Sequence, residues 1–169
     1  ELKSITEQAQ AEQFFLGFGK VILAIKESPK FVVARVQGKA VGGGVGLVAA
    51  CDYSIGLSAA AFRLSELEVG IGPFVIGPAV ERKIGLAAFG ALSIDTSWRD
   101  AAWANRNGLL SELEDSIEAV EKKLEQLLTK LAAFSPQATA ELKKTLWAGT
   151  EGWPQLLRER AAASGRLWI

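Results

Sequence analysis

Residues 31–52 read FVVARVQGKAVGGGVGLVAACD, and this stretch decides the fold. Its first six residues are rich in β-branched side chains and too few for a helix, so they predict a short strand. A turn at residues 37–40 and the triple glycine at 42–44 follow. The apolar run 45–50 then predicts a short buried helix. The chain is therefore expected to pass from a strand into a helix through a glycine-rich turn.

The triple glycine does not match the common nucleotide-binding fingerprints. No Lys-Ser or Lys-Thr pair follows it as in a P-loop, and Ala49 stands where G-x-G-x-x-G requires its last glycine. What remains is a run of backbone N–H groups at the start of a helix, where developing negative charge is stabilised. The turn is either a tight connection between strand and helix or an oxyanion site.

The flanking segments predict one α/β domain with a strand-rich first half and a helical second half. Residues 4–7 have capping-box spacing ahead of an amphipathic helix that ends at Ser28-Pro29. Short strands are expected near 52–57 and 60–63, and Pro73 is expected to open a helix that runs to about Ile84. From Gly85 onward we expect helices, with breaks at Thr96, Gly108 and Ser135-Pro136 and a last segment that begins near Pro154.

Composition excludes several classes of protein. The 19 Lys and Arg residues balance 19 Asp and Glu residues, so no positive surplus supports nucleic-acid binding. The absence of histidine excludes Ser-His-Asp and Cys-His catalysis and most zinc chemistry, so we expect no metal site. The single Cys51 lies in an apolar run and is expected to be a buried hydrophobe. Without a disulfide or a signal peptide, a reducing, cytoplasmic location is the expectation.

Three segments together resemble the enoyl-CoA hydratase/isomerase (crotonase) family. They are the G-x-a-x-GGG turn at residues 38–44, the Cys51-Asp52 pair at the end of the helix, and the F-x-x-x-E-x-x-x-G segment from Phe62 to Gly70. All three occur in the family's order and at its spacing. The resemblance begins at about Val21 and corresponds to the later part of a family domain. We therefore expect the family's early ββα turns, which supply a second oxyanion N–H and much of the CoA surface, to be missing from this sequence.

The resemblance implies a partial crotonase-like ββα spiral of the α/β class, followed by a C-terminal helical region. We expect the spiral core over residues 1–110 and a helical trimerisation or lid region over residues 111–169. An acyl-CoA thioester is the implied substrate, with coenzyme A as part of the substrate and no separate cofactor. A homotrimer or hexamer is implied as well, because a group of C-terminal apolar residues is expected to be exposed. These residues are Trp147, Trp153, Leu156, Leu157 and Trp168.

The resemblance also implies the roles of individual residues. The Gly43 N–H would hold the thioester oxygen as it becomes an enolate, and Glu66 would act as the general base. Gly46 replaces the second glutamate of the family's hydratases, which favours an isomerase that moves a double bond with one carboxylate. Hydration by a single glutamate is an alternative. Gly46→Glu is expected to raise hydration relative to isomerisation, provided that the pocket admits water and the helix tolerates the larger side chain. The implied substrate-binding residues are Gly42, Phe62, Leu67, Gly70 and Phe74.

The sequence around Glu66 predicts the direction in which the pKa of its carboxyl group is shifted. Its apolar neighbours Leu64, Leu67 and Val69 are expected to raise the pKa of its carboxyl group. Glu68 is expected to be solvated or ion-paired.

An alternative hypothesis is that the protein is not an enzyme. It would then be a truncated or redesigned scaffold built on this fold. Two observations favour it: the sequence lacks both His and Met, and residues 119–131 resemble an idealised helix.

Overall fold

The computed structural model describes residues 4–168. The helices are α1 (Gln8–Glu27), α2 (Gly43–Ala50), α3 (Gly77–Ile94), α4 (Ala101–Arg106), α5 (Ile117–Ala132), α6 (Pro136–Leu146) and α7 (Trp153–Leu167). The strands are β1 (Val33–Val36), β2 (Lys39–Val41), β3 (Tyr53–Leu57), β4 (Ala61–Arg63), β5 (Arg99–Asp100) and β6 (Glu112–Glu114). A 3₁₀ turn covers Glu66–Val69.

The strands form two small sheets in the described part of the chain. The first has the order β1-β3-β6 with parallel pairing throughout. The second has the order β2-β4-β5, in which β2 and β4 are parallel and β5 is antiparallel to β4. The predicted pairing of residues 32–36 with residues 53–55 in one sheet is confirmed. Strand β6 joins this sheet although it lies within residues 111–169.

The helices bury a continuous apolar core against these sheets. Helix α1 packs along α7, while α2 packs against α1 and α3. Ile22 of α1, Val45 of α2 and Leu157 of α7 are fully buried in this core. Helix α2 is apolar on all sides because it lies between other elements, as the run 45–50 predicts.

Two predicted helix starts are wrong. Helix α1 begins at Gln8 with Glu7 as its N-cap, so Ser4 is not at the N-cap position of this helix as the predicted capping box requires. Helix α3 begins at Gly77, because Pro78 and not Pro73 occupies its first turn, where the missing N–H costs nothing. Gly85, at φ 78°, interrupts α3, which confirms the predicted end near Ile84.

Burial decides two further predictions about side chains. Cys51 is buried as expected, and loss of solvent raises the pKa of its thiol. The expected exposure of the C-terminal aromatic residues is wrong, because Trp147 and Trp153 pack edge to face in the core with ring centroids 5.6 Å apart. Leu157 is fully buried as well. Among residues 4–168, no helix is long and apolar enough to cross a bilayer.

Candidate active site

Gly42 makes the turn between β2 and α2. Its φ of 53° and ψ of −115° form a conformation that side chains disfavour, so glycine is required here. Its N–H donates to the Arg63 carbonyl at 2.9 Å and extends the pairing of β2 with β4. Its own carbonyl accepts the Gly46 N–H at 3.1 Å and closes the first turn of α2. The strand therefore delivers the start of α2 to a defined place beside the end of β4.

The chain after β4 brings Glu66 back to this turn. Glu66 begins the 3₁₀ turn, which Gly70 ends in the left-handed conformation at φ 80°. A Cβ added to Gly42 would lie 2.9 Å from Glu66 Oε1, so the carboxylate occupies the space that a side chain at Gly42 would need. The absence of a side chain at Gly42 thus permits both the turn and the approach of the carboxylate.

The Glu66 carboxyl group has an unusual environment. Its Oε2 is buried and has no hydrogen-bond partner among the described residues. Loss of solvent raises the pKa of this carboxyl, while backbone hydrogen bonds at Glu66 and Ser65 partly offset the effect. A group in this state is closer to the proton affinity that a general base needs at neutral pH. Its unpaired oxygen is free to accept a proton.

The predicted source of the higher pKa is partly wrong. Leu64 is buried, but Leu67 and Val69 are each 54% exposed and do not shield the carboxyl group. The prediction for Glu68 is confirmed, because it forms an ion pair with Arg63 and accepts a hydrogen bond from Thr96 Oγ1 at 2.6 Å. These contacts lower the pKa of Glu68. The two neighbouring glutamates are therefore perturbed in opposite directions.

Gly43 is the first residue of α2, so its N–H has no acceptor within the helix. The ring of Phe18 in α1 lies against Gly43, since a Cβ added there would be 2.7 Å from Phe18 Cζ. A cavity of about 60 Å³ separates Gly43 from the loop before α3. Its walls are Phe15, Phe18, Gly43, Glu66, Ser164 and residues 71–76. A partly buried carboxylate and a helix N-terminus thus line one small, mostly apolar cavity.

Comparison with known proteins identifies the fold and the family. The family described as enoyl-CoA hydratase/isomerase matches residues 1–166, nearly the whole sequence. The chain belongs to this family. Its fold is accordingly a partial α/β crotonase fold with C-terminal helices, and the resemblance drawn from the sequence motifs is confirmed.

Individual relatives show how much of the family's length is present. The chain is 30% identical over 138 residues to the enoyl-CoA hydratase ACTT6 of Alternaria alternata, covering 82% of this chain and 44% of that protein. An enoyl-CoA hydratase structure from Mycobacterium avium superposes with a TM-score of 0.88 at 27% identity, over 96% of this chain and 64% of that one. An enoyl-CoA hydratase/isomerase from Marinobacter aquaeolei gives a TM-score of 0.77 at 33% identity, over 88% and 57% of the two chains. The chain spans about half the length of the curated relatives it matches.

In this crotonase-family chain, only part of the predicted site comes together. Gly43, Glu66 and Phe74 line the same cavity, and Gly42 contacts the Glu66 carboxylate. Three other predicted substrate-binding residues do not line it. Phe62 is fully buried within β4, Leu67 is exposed, and Gly70 serves to end the 3₁₀ turn.

Gly46, where the resemblance implies the second glutamate of family hydratases, is closed to side chains. A Cβ added to Gly46 would lie 2.5 Å from Ile76 Cβ, and Ile76 is buried. Real Cβ atoms do not approach each other so closely, so Gly46→Glu requires a rearrangement around Ile76. The expected gain in hydration from Gly46→Glu requires that the helix tolerate a larger side chain, and the packing of Ile76 against Gly46 opposes this.

Sequence reasoning missed the aromatic cover of this site. Phe14, Phe15 and Phe18 form edge-to-face contacts along α1, with centroids of neighbouring pairs 5.5 and 5.8 Å apart. Trp168 contacts Phe15 with a centroid separation of 6.4 Å. The helical spacing of these phenylalanines predicts one buried face, but it does not reveal that the buried face lies against Gly43.

Proposed function

We propose that the protein is an acyl-CoA enzyme that stabilises a thioester enolate and moves a double bond with Glu66 as its one general base. The observation that carries this proposal is the partly buried Glu66 carboxylate, which lies against the triple-glycine turn and has a buried Oε2 with no hydrogen-bond partner among the described residues. Buried polar atoms without partners are rare in folded proteins and concentrate at functional sites. Membership of the enoyl-CoA hydratase/isomerase family supports the class of substrate.

The proposed reaction divides the work between two groups. Glu66 removes a proton from the carbon alpha to the thioester, and the electron pair moves toward the thioester oxygen. The Gly43 N–H donates a hydrogen bond to that oxygen as negative charge develops, an effect typically worth several kcal/mol. Glu66 then returns the proton two carbons along the chain, so the double bond shifts and no atom is gained or lost. Since Phe18 contacts Gly43, its ring has to turn away when a thioester binds.

The surroundings of Gly46 support one carboxylate and not two. Ile76 fills the space in which a second catalytic side chain would extend from α2. A proton shuttle between two carbons needs a single base, whereas hydration by a glutamate pair needs both groups. The geometry therefore favours isomerisation over two-glutamate hydration.

Hydration by Glu66 alone is the second candidate. The cavity of about 60 Å³ beside Glu66 has room for water, which occupies about 30 Å³ per molecule in the liquid. The relative from Alternaria alternata is named an enoyl-CoA hydratase. A single base that activates water would use the same carboxylate and the same oxyanion donor.

Product analysis distinguishes the two candidates. The protein is incubated with a 3-enoyl-CoA and, separately, with a 2-enoyl-CoA, and the products are separated by chromatography. Isomerisation predicts 2-enoyl-CoA from the first substrate and little 3-hydroxyacyl-CoA from the second. Rapid formation of 3-hydroxyacyl-CoA from 2-enoyl-CoA would favour the hydratase. If neither substrate reacts or binds, the non-catalytic scaffold is the better interpretation.

We also propose that the protein forms a homotrimer or hexamer. The proposed interface is formed by α5 and α6 and not by the C-terminal aromatic residues expected from the sequence. Several large apolar side chains of α5 and α6 and the turn between them are about half exposed, which is more than a solvated surface requires. They are Ile117, Leu128, Phe134, Leu142 and Leu146. Sedimentation velocity tests this proposal: trimers or larger species at micromolar concentration support it, and a stable monomer contradicts it.

A further inference from the structure

A second, larger cavity lies on the far side of Phe74 from Glu66. It has a volume of about 290 Å³ and runs between α3 and α7. Pro73 and Phe74 line both this groove and the Glu66 cavity. The two spaces are therefore separated by one short stretch of the loop before α3.

The groove is suited to a hydrocarbon chain. Leu86, Phe89 and Ile94 of α3 are apolar residues of its wall, and Leu86 and Ile94 are 69% and 79% exposed. Glu81 and Arg160 are its charged lining residues. Ligand pockets that hold drug-sized molecules begin at about 300 Å³, so the groove alone could take several methylene groups. The Glu66 cavity is about a fifth of that threshold and has no such room.

Phe74 is held in place between the two spaces. A Cβ added to Gly72 would lie 2.6 Å from Phe74 Cζ, so the ring lies directly against the backbone of Gly72. Because Gly72 has no side chain, the ring can fold back over the loop and close the end of the Glu66 cavity. The ring is the largest apolar group common to both walls.

We propose that Phe74 sets the acyl-chain length of the reaction by closing the cavity that holds the reacting carbons. The inference rests on the proposed function, since it assigns the substrate class as short-chain acyl-CoA thioesters. A chain of about eight carbons would have to pass the ring and enter the groove between α3 and α7. Removal of the ring joins the two spaces and admits the longer chain.

The test compares the exchange of alpha protons with solvent deuterium for butyryl-CoA and octanoyl-CoA, as the ratio of kcat/KM values. The wild type should favour butyryl-CoA at least about ten-fold, since one methylene group alone can change such ratios ten-fold or more. Phe74→Ala should reduce this preference by a similar factor. Phe74→Leu, which shortens the wall without removing it, should shift the ratio in the same direction by less.

Phe31→Ala is the matched control, because Phe31 is partly buried and lines neither the groove nor the Glu66 cavity. It removes an equal ring and should leave the wild-type ratio unchanged. Equal exchange of both substrates by the wild type, or unchanged ratios in both Phe74 variants, would overturn the inference alone. If the wild type exchanges the alpha protons of neither butyryl-CoA nor octanoyl-CoA, the proposed function is overturned and this inference with it.

Discussion

Two carboxyl groups of this protein, one buried and one partly buried, differ in whether their oxygens have hydrogen-bond partners. Asp52, between α2 and β3, has a side chain only 6% exposed and partners on both oxygens. Its Oδ2 accepts from Lys143 Nζ at 2.9 Å and from the Val32 N–H at 2.8 Å, and its Oδ1 accepts from Trp147 Nε1 at 2.9 Å. Glu66, beside the glycine turn, has a buried oxygen with no partner among the described residues.

Under the proposed function, Asp52 has a structural role and Glu66 has a chemical one. Lys143 Nζ also donates to the carbonyls of Ile25 and Lys30, both at 2.7 Å. Both charged groups of the pair therefore have hydrogen-bond partners. Such a network ties α6 to the end of α1 and the start of β1. A buried carboxylate left incomplete beside a cavity costs stability and gains reactivity, which is the usual condition of a catalytic group.

Breaking the ion pair between Asp52 and Lys143 should cause the largest loss of stability. Lys143→Met leaves the Asp52 carboxylate buried without its cation and should lower the free energy of unfolding by about 3 to 5 kcal/mol. Urea denaturation at pH 7 measures the change. Lys144→Met is the matched control on the same helix, because Lys144 and its partner Glu141 are both more than 70% exposed. That change should cost at most about 0.5 kcal/mol, and similar losses in the two variants would refute the structural role.

Adding a side chain at Gly46 should give the next largest loss of stability. Gly46→Ala forces a methyl group against Ile76 and should lower the free energy of unfolding by about 1 to 3 kcal/mol. Gly44→Ala, two residues earlier in α2, meets only Ala40 Cβ at 3.7 Å and should be neutral or slightly stabilising. Adding Ile76→Ala to Gly46→Ala should recover part of the loss, since the two sites are in contact. Strictly additive losses in the double variant would show that Ile76 is not the obstacle.

Replacement of Glu66 should have a smaller effect on stability, and the size of this effect should depend on pH. Its pKa is raised in the folded protein, so its contribution is complete below the ordinary pKa of glutamate and is lost as pH rises through the folded pKa. Glu66→Gln should therefore raise the free energy of unfolding at pH 7 by about 1 kcal/mol, and the gain should vanish below about pH 4.

Glu68→Gln is the control for this titration, because the pKa of Glu68 is lowered and the sign reverses. The contribution of Glu68 is present above the ordinary pKa and is lost as pH falls through the folded pKa. Its replacement should not stabilise the protein at pH 7. A Glu66→Gln variant that is less stable than wild type at pH 7 would contradict the strained state of this carboxyl group.

The residues predicted well from sequence are those whose structure depends on nearby residues. The glycines at 42–44 need a turn, the apolar run after them needs burial, and Val33 and Val36 of β1 are β-branched. Glu66 and Gly43 are assigned to the predicted site only through the resemblance to the family's motifs. Strands β2, β5 and β6 were not predicted, since they are two or three residues long and exist only through pairing with distant segments.

The contacts that define the site could not be read from local pattern. Ile76 and Phe18 are ordinary apolar residues in the sequence, and only packing brings them against Gly46 and Gly43. The partnership of Asp52 with Lys143 joins the start of β3 to α6 and has no local signal. Each of these contacts depends on the relative placement of helices that are far apart in the chain.

The central claim is that Glu66 is the general base, and deuterium exchange tests it most directly. The exchange of alpha protons of butyryl-CoA with solvent deuterium is followed in wild type, Glu66→Gln and Glu68→Gln. Exchange should fall about 10² to 10⁴-fold in Glu66→Gln, with acyl-CoA affinity little changed and Glu68→Gln close to wild type. Equal exchange rates in wild type and Glu66→Gln would contradict the account.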